Sequence, residues 1–101
     1  MIKIVFASLA LVVTLVGLTA DAHAQSFSGR WYCVQGCQIP NGRAVIEQRG
    51  DRLTLYNEVG QVSRGYLEDP RTVVAVDWRV TGRISGNGGA IIWRNGSRWV
   101  R

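Results

Sequence analysis

The side chains able to do chemistry are few and narrow in type. The only histidine is His23 and the only lysine is Lys3, both near the N-terminus. Beyond them stand eleven arginines and six carboxylates: Glu47, Asp51, Glu58, Glu68, Asp69 and Asp77. Histidine is the usual general base near neutral pH and the commonest metal ligand. A chain without it after position 23 has no Ser-His or Cys-His nucleophile pair and no His-containing zinc site. Without lysine there is no Schiff-base route and no Ser-Lys dyad. Carboxylate-pair chemistry remains, with Glu68, Asp69 and Asp77 the candidates to converge. Glycoside hydrolysis needs two such groups flanking a cleft, whereas Glu68-Asp69-Pro70 reads as a solvated turn. The expectation is a protein that is not an enzyme, with no catalytic residue, no cofactor and no metal.

Cys33 and Cys37 are the only cysteines. An even number in an exported chain predicts a disulfide. Gly36 supplies the positive φ that so tight a loop requires. A loop this small removes little unfolded-state entropy, so the bond is worth about 2 kcal/mol. The spacing is Cys-x3-Cys rather than the Cys-x2-Cys of redox motifs, and no helix N-terminus is evident to lower a thiol pKa. Further ligands for a metal are missing.

Binding chemistry has better material. Trp31, Trp78, Trp93 and Trp99 are many tryptophans for this length, and Tyr32, Tyr56 and Tyr66 join them. Arginine captures carboxylate, phosphate or sulfate and stacks on aromatic rings. Trp93, Arg94, Arg98 and Tyr66 are therefore the candidate ligand-binding residues, for an anionic or glycan-like ligand. Tryptophan also supplies much buried area to a small core, which is the expectation for Trp31 and Trp78. The positive charge attracts anionic lipid head groups or polysaccharide equally well. No RNP-type or basic-helix motif points to nucleic acid. Arg49-Gly50-Asp51 spells an adhesion tripeptide, but a plain hairpin turn explains it.

These residues need elements to hold them. Met1 to Ala24 reads as a secretory signal peptide: Lys3, an uncharged apolar run from Ile4 to Leu18, then Ala22-His23-Ala24 for cleavage. The apolar run is shorter than the roughly 20 residues of a spanning helix. A periplasmic or secreted location follows, with no stable membrane insertion after cleavage. Residues 25–101 are enough for a single small domain. They show no helical period; short β-branched and aromatic runs alternate with Gly, Asn and Asp. Strands are expected at 28–34, 43–48, 52–57, 61–67, 72–80, 83–85, 90–94 and 97–101. Gly65 marks a bulge or a close backbone approach. Thr72 to Val80 reads as one long strand with Val74, Val76 and Trp78 on one face. Asn95-Gly96 predicts a two-residue type I′ hairpin, which sets Trp93 across from Arg98 and puts Trp93 and Trp99 on opposite faces. Apolar groups on both faces imply cover on both sides or a closure seam. The fold class is all-β: an antiparallel up-and-down meander of seven or eight short strands, closed as a barrel or barrel-like roll, with a two-layer sandwich as the alternative.

Gly29-Arg30-Trp31 on the first strand resembles the Gly-x-Trp opening of calycin barrels, the lipocalin and avidin-like group. The resemblance implies a meander barrel with the tryptophan at its closed end, and an arginine of the last strand, Arg98 or Arg101, across its ring. It also implies a small apolar ligand as an option, although strands this short leave little room for a cavity. The expected function is that of a non-catalytic exported β-domain binding an anionic polysaccharide or another envelope component. The alternatives are a periplasmic protein–protein module, an inhibitor or assembly factor, and a structural domain without a small ligand.

Overall fold

In a two-residue period every second side chain of a strand faces inward, and burial follows that period here. The computed structural model describes residues 26–101; the segment Met1–Ala24 read as a signal peptide lies outside them. The strands are β1 (Gly29–Gln35), β2 (Arg43–Arg49), β3 (Arg52–Tyr56), β4 (Val62–Asp69), β5 (Thr72–Ala75), β6 (Val80–Ile84), β7 (Ala90–Trp93) and β8 (Arg98–Val100). Each pairs antiparallel with the next, and β8 pairs with β1 to close the barrel. Closure removes the exposed edges that a short open sheet would present. The β7–β8 hairpin thus lies at the seam.

Inward positions carry Trp31, Ile46, Leu55, Val73, Ile84 and Ile91, all essentially inaccessible to solvent. Large indoles fit because small residues face them. A Cβ on Gly82 would lie 2.6 Å from Cε3 of Trp93, and one on Gly65 would lie 2.6 Å from Cδ1 of Leu55. Gly65 is therefore a close approach, not a bulge: Leu53↔Gly65 and Gly65↔Ala75 pair in regular register. The register shifts instead lie between Cys33 and Gln35 and between Leu67 and Asp69.

Two expectations are corrected. The run 72–80 is not one strand. It breaks at a turn over Val76–Arg79, where Arg79 adopts a φ of 54° and its N–H donates to the Val76 carbonyl. Asp77 anchors the turn from β4: its own N–H donates to Ser63 Oγ, and its carboxylate accepts from the backbone and guanidinium of Arg64. These long-range bonds hold a turn that lacks the usual glycine. Trp78 consequently leaves the strand and packs at the barrel end.

The last hairpin has a three-residue loop, Arg94-Asn95-Gly96. The Gly96 N–H donates to the Trp93 carbonyl, the Trp93 N–H donates to the Ser97 carbonyl, and Gly96 has a φ of 96°. That is a type I turn followed by a left-handed residue, the other hairpin for which Asn-Gly is suited. The register becomes Ile91↔Trp99 and Ile92↔Arg98. A one-residue slip reverses every side chain, so Trp93 and Trp99 both point into the barrel, while Ile92 and Arg98 face outward.

Up-and-down order sends alternate connections to opposite ends. The β1–β2, β3–β4, β5–β6 and β7–β8 loops gather at one end. The N-terminal segment, the other three turns and Arg101 gather at the opposite one.

Candidate binding site

The end that holds the chain terminus is plugged. Phe27 and Trp31 are both fully buried there. The Trp31 Nε1–H donates to the Phe27 carbonyl at 2.8 Å, and the Phe27 N–H donates to Gln48 Oε1 at 2.8 Å. Arg101 closes the plug. Its guanidinium carbon lies 4.2 Å from the Trp31 ring centroid, and it donates to the carbonyls of Gly88, Ser28 and Ser26 at 2.9, 3.0 and 2.8 Å. Desolvation at this position lowers the Arg101 pKa. Gly29, with a φ of 131°, lets the chain turn beneath that guanidinium. Arg98, the other arginine expected against Trp31, lies on the outer face of β8.

The opposite end is open, with a cleft of about 380 Å³. That lies within the ~300–1,000 Å³ range of ligand pockets. Trp78, Trp93, Trp99 and Val80 form its apolar wall. Trp99 sits between the other two indoles, edge-to-face with Trp93 at 5.1 Å and with Trp78 at 6.4 Å between centroids. The rim is made of amides and a hydroxyl, Gln38, Asn57, Gln61, Asn95 and Ser97, together with Glu58. Several are fixed in place. Asn57 Nδ2 donates to Gln61 Oε1 at 2.8 Å, Ser97 Oγ donates to the Gly36 carbonyl at 2.8 Å, and Glu58 Oε2 accepts from the Gln38 N–H at 2.7 Å. Several polar groups of this mouth are therefore held by the protein's own hydrogen bonds.

One group is not accounted for. The Trp93 Nε1 is buried and has no hydrogen-bond partner among the described residues. A buried donor left unmade costs about 1–3 kcal/mol, and indole N–H groups usually find an acceptor when buried. The benzo edge of Trp93 lies against Gly82 of β6, which turns the opposite, Nε1-bearing edge away from that strand.

The Cys33–Cys37 disulfide is formed and its Cα atoms are 5.8 Å apart. It ties the end of β1 to the loop that meets the last hairpin. A Cβ on Gly36 would lie 2.8 Å from the Gly96 carbonyl oxygen, so only glycine lets these two turns approach. A Glu58 carboxylate oxygen lies within 4.8 Å of both sulfurs. Sulfurs bonded to each other are not thiolates, so the trio has no metal-binding chemistry.

The carboxylates considered for acid–base work do not meet. Asp77 is in the β5–β6 turn at the open end, whereas Glu68 and Asp69 end β4 at the other. Hydrogen bonds from the Arg64 guanidinium, then from its backbone N–H, pull the Asp77 carboxyl down to about 2. The Arg71 backbone N–H, foremost among several causes, lowers Asp69.

The four candidate ligand residues are distributed, not assembled. Trp93 is inside the mouth at 3% exposure. Arg94 and Arg98 are exposed outside it, and Tyr66 stands on the outer face of β4, across from Val74 and Arg52. Trp78, Trp99, Asn57, Glu58 and Gln61 were not singled out for binding from sequence. The three-residue loop would have placed Trp99 beside Trp93; nothing local marks the Asn57–Gln61 turn as part of the same rim. Compared with known proteins, the chain matches no family model, no curated protein and no solved structure.

Proposed function

We propose that this barrel is a non-catalytic exported domain whose tryptophan-lined mouth holds a glycan-like ligand. The carrying observation is a cleft walled by three indoles and rimmed by amides, one of whose indoles, Trp93, has a buried N–H without a partner among the described residues. Sugar rings offer apolar C–H faces to stack on aromatic rings, and hydroxyls that both donate to and accept from amides. A ligand hydroxyl oxygen would satisfy the Trp93 donor once the indole shifts to expose its nitrogen, which is closed to solvent in this structure. Among the described residues Glu58 is the only ionisable side chain in the lining, and no arginine lines it. That favours an uncharged glycan over an anionic one. The disulfide supports an oxidising compartment, in keeping with the leader-like N-terminus.

Titration with neutral oligosaccharides, followed by tryptophan emission, tests this. A saturable change that persists in high salt is expected, because the contacts are uncharged. Trp93→Phe should abolish it with the melting temperature retained. Emission that stays flat across a panel of neutral glycans overturns the reading.

A further inference from the structure

The carboxylates are confined to one part of the chain. All six beyond residue 25 lie between Glu47 and Asp77; residues 26–46 and 78–101 contain no Asp or Glu. Those two stretches hold Arg30, Arg43, Arg79, Arg83, Arg94, Arg98 and Arg101. They are remote in sequence, yet barrel closure joins them, because β8 pairs with β1. The outer faces of β6, β7, β8, β1 and the start of β2 therefore form one continuous stretch of wall whose own strands carry no Asp or Glu, with Glu68 and Asp69 of β4 at its β6 border.

Register places the outward residues in rows. Arg83, Ile92 and Arg98 are opposite one another across β6, β7 and β8. Val100, Tyr32 and Arg43 are opposite one another across β8, β1 and β2. Arg94 follows Ile92 on the same outward side, and Arg30 precedes Tyr32. Arg30, Arg43, Arg94 and Arg98 are exposed and make no salt bridge among the described residues. At the border Glu68 and Asp69 line one shallow concavity with Arg83, Ile92 and Arg94, and Asp69 feels the Arg83 charge. Arg30, Arg43 and Arg98 stand away from that concavity. Between the arginines stand Ile92 and Tyr32, 50% and 42% exposed.

We propose that the middle of this wall, centred on β8 and flanked by β7 and β1, docks on an anionic lipid bilayer surface, with Arg83 and Arg43 at its two margins. Arginines reach lipid phosphates with bidentate hydrogen bonds, and their stems lie along apolar surface while the charged ends stay hydrated. Ile92 and Tyr32 then enter the head-group boundary, as apolar side chains do at membrane surfaces. Charge alone would equally suit an anionic polysaccharide. The exposed isoleucine centred between Arg83 and Arg98 fits lipid better, since a hydrated polymer gives it nothing to enter. The tryptophan mouth opens at the barrel's end rather than on this wall, so the two surfaces are distinct and meet only at the β7–β8 loop.

Flotation of the processed protein with vesicles tests the assignment. Binding is expected to vesicles of phosphatidylcholine with phosphatidylglycerol, not to phosphatidylcholine alone, and to fall steeply with salt. Each arginine near such a surface is worth about fivefold in partitioning. Arg94→Gln with Arg98→Gln should therefore cost about 25-fold, and Ile92→Ser should weaken binding without changing its salt dependence. Arg49→Gln with Arg52→Gln removes the same charge from another wall and should cost far less. Equal losses from the two pairs, equal binding to neutral vesicles, or capture of a soluble anionic polysaccharide without vesicle binding would each overturn the proposal.

Discussion

Trp31 and Trp93 are buried indoles at opposite ends of one barrel, and their N–H groups have opposite fates. That of Trp31 is bonded to the Phe27 carbonyl inside a plug sealed by Arg101. That of Trp93 has no partner among the described residues, although its ring lines an open cleft. A barrel of eight short strands has little core to spare. One end is given entirely to packing and hydrogen bonding; the other keeps an unmet donor and a preformed rim. Burial alone does not distinguish the two tryptophans. The state of their donors does.

The largest expected effect lies at the plug. Trp31→Ala should destabilise by about 3–5 kcal/mol, the usual cost of deleting a buried aromatic. Chemical denaturation reads this directly. A near-neutral result would remove the claim that this end holds the barrel together. Arg101→Lys sharpens the point. Lysine keeps the charge but not the planar fork that reaches three carbonyls, and a loss of about 1–2 kcal/mol is expected. An unperturbed melting curve for that variant would mean the C-terminal residue is decoration.

The disulfide gives an intermediate effect with a spatial signature. Replacing both cysteines, Cys33→Ala with Cys37→Ala, should cost about 2 kcal/mol through the small loop it opens. The loosening should appear at the mouth, where the Gly36 carbonyl accepts from Ser97 Oγ. Hydrogen exchange should rise in the β1–β2 and β7–β8 loops, while the amides around Phe27 and Trp31 keep their protection. Uniform deprotection would erase the distinction between the ends.

Trp93→Phe should be nearly silent in stability, within about 1 kcal/mol. The smaller ring forfeits some packing, but the change also removes a buried donor that has no partner. The two effects oppose. A loss as large as that of Trp31→Ala would show that the Trp93 N–H is satisfied after all.

How far the sequence foretold this division can be followed through particular residues. Trp31 as core and the turn at Gly50-Asp51 were legible, because period-two alternation and glycine punctuation are local signals. The mouth was not, for two physical reasons. Asn-Gly serves both two- and three-residue hairpin loops, and one residue of register decides whether Trp93 faces solvent or the interior. The turn at Val76–Arg79 carries no glycine; bonds from Ser63 and Arg64 stabilise it, and they exist only once β4 lies beside it. Nothing local marks the arginines of the first and last strands as neighbours either: the β1–β8 seam that brings them together is the longest-range pairing among the described residues.

The pH dependence of the mouth follows from that same turn. Asp77 sits at about 2, below its ordinary 3.8, because Arg64 hydrogen-bonds the ionised form. A carboxyl depressed in the folded state contributes stability that is fully present above the unfolded value. That contribution is lost as pH falls from 3.8 through 2. The pair is solvent-exposed, so the effect is expected to be small and weakened by salt. Because the turn carries Trp78 to the cleft wall, acid should loosen the open end before the plug. Asp77→Asn should flatten the acid limb of the melting profile and leave the neutral plateau slightly lower. Should the variant and the parent melt with the same pH profile, the Asp77–Arg64 pair does not hold the turn, and Trp78 owes its position to packing against Trp99 alone.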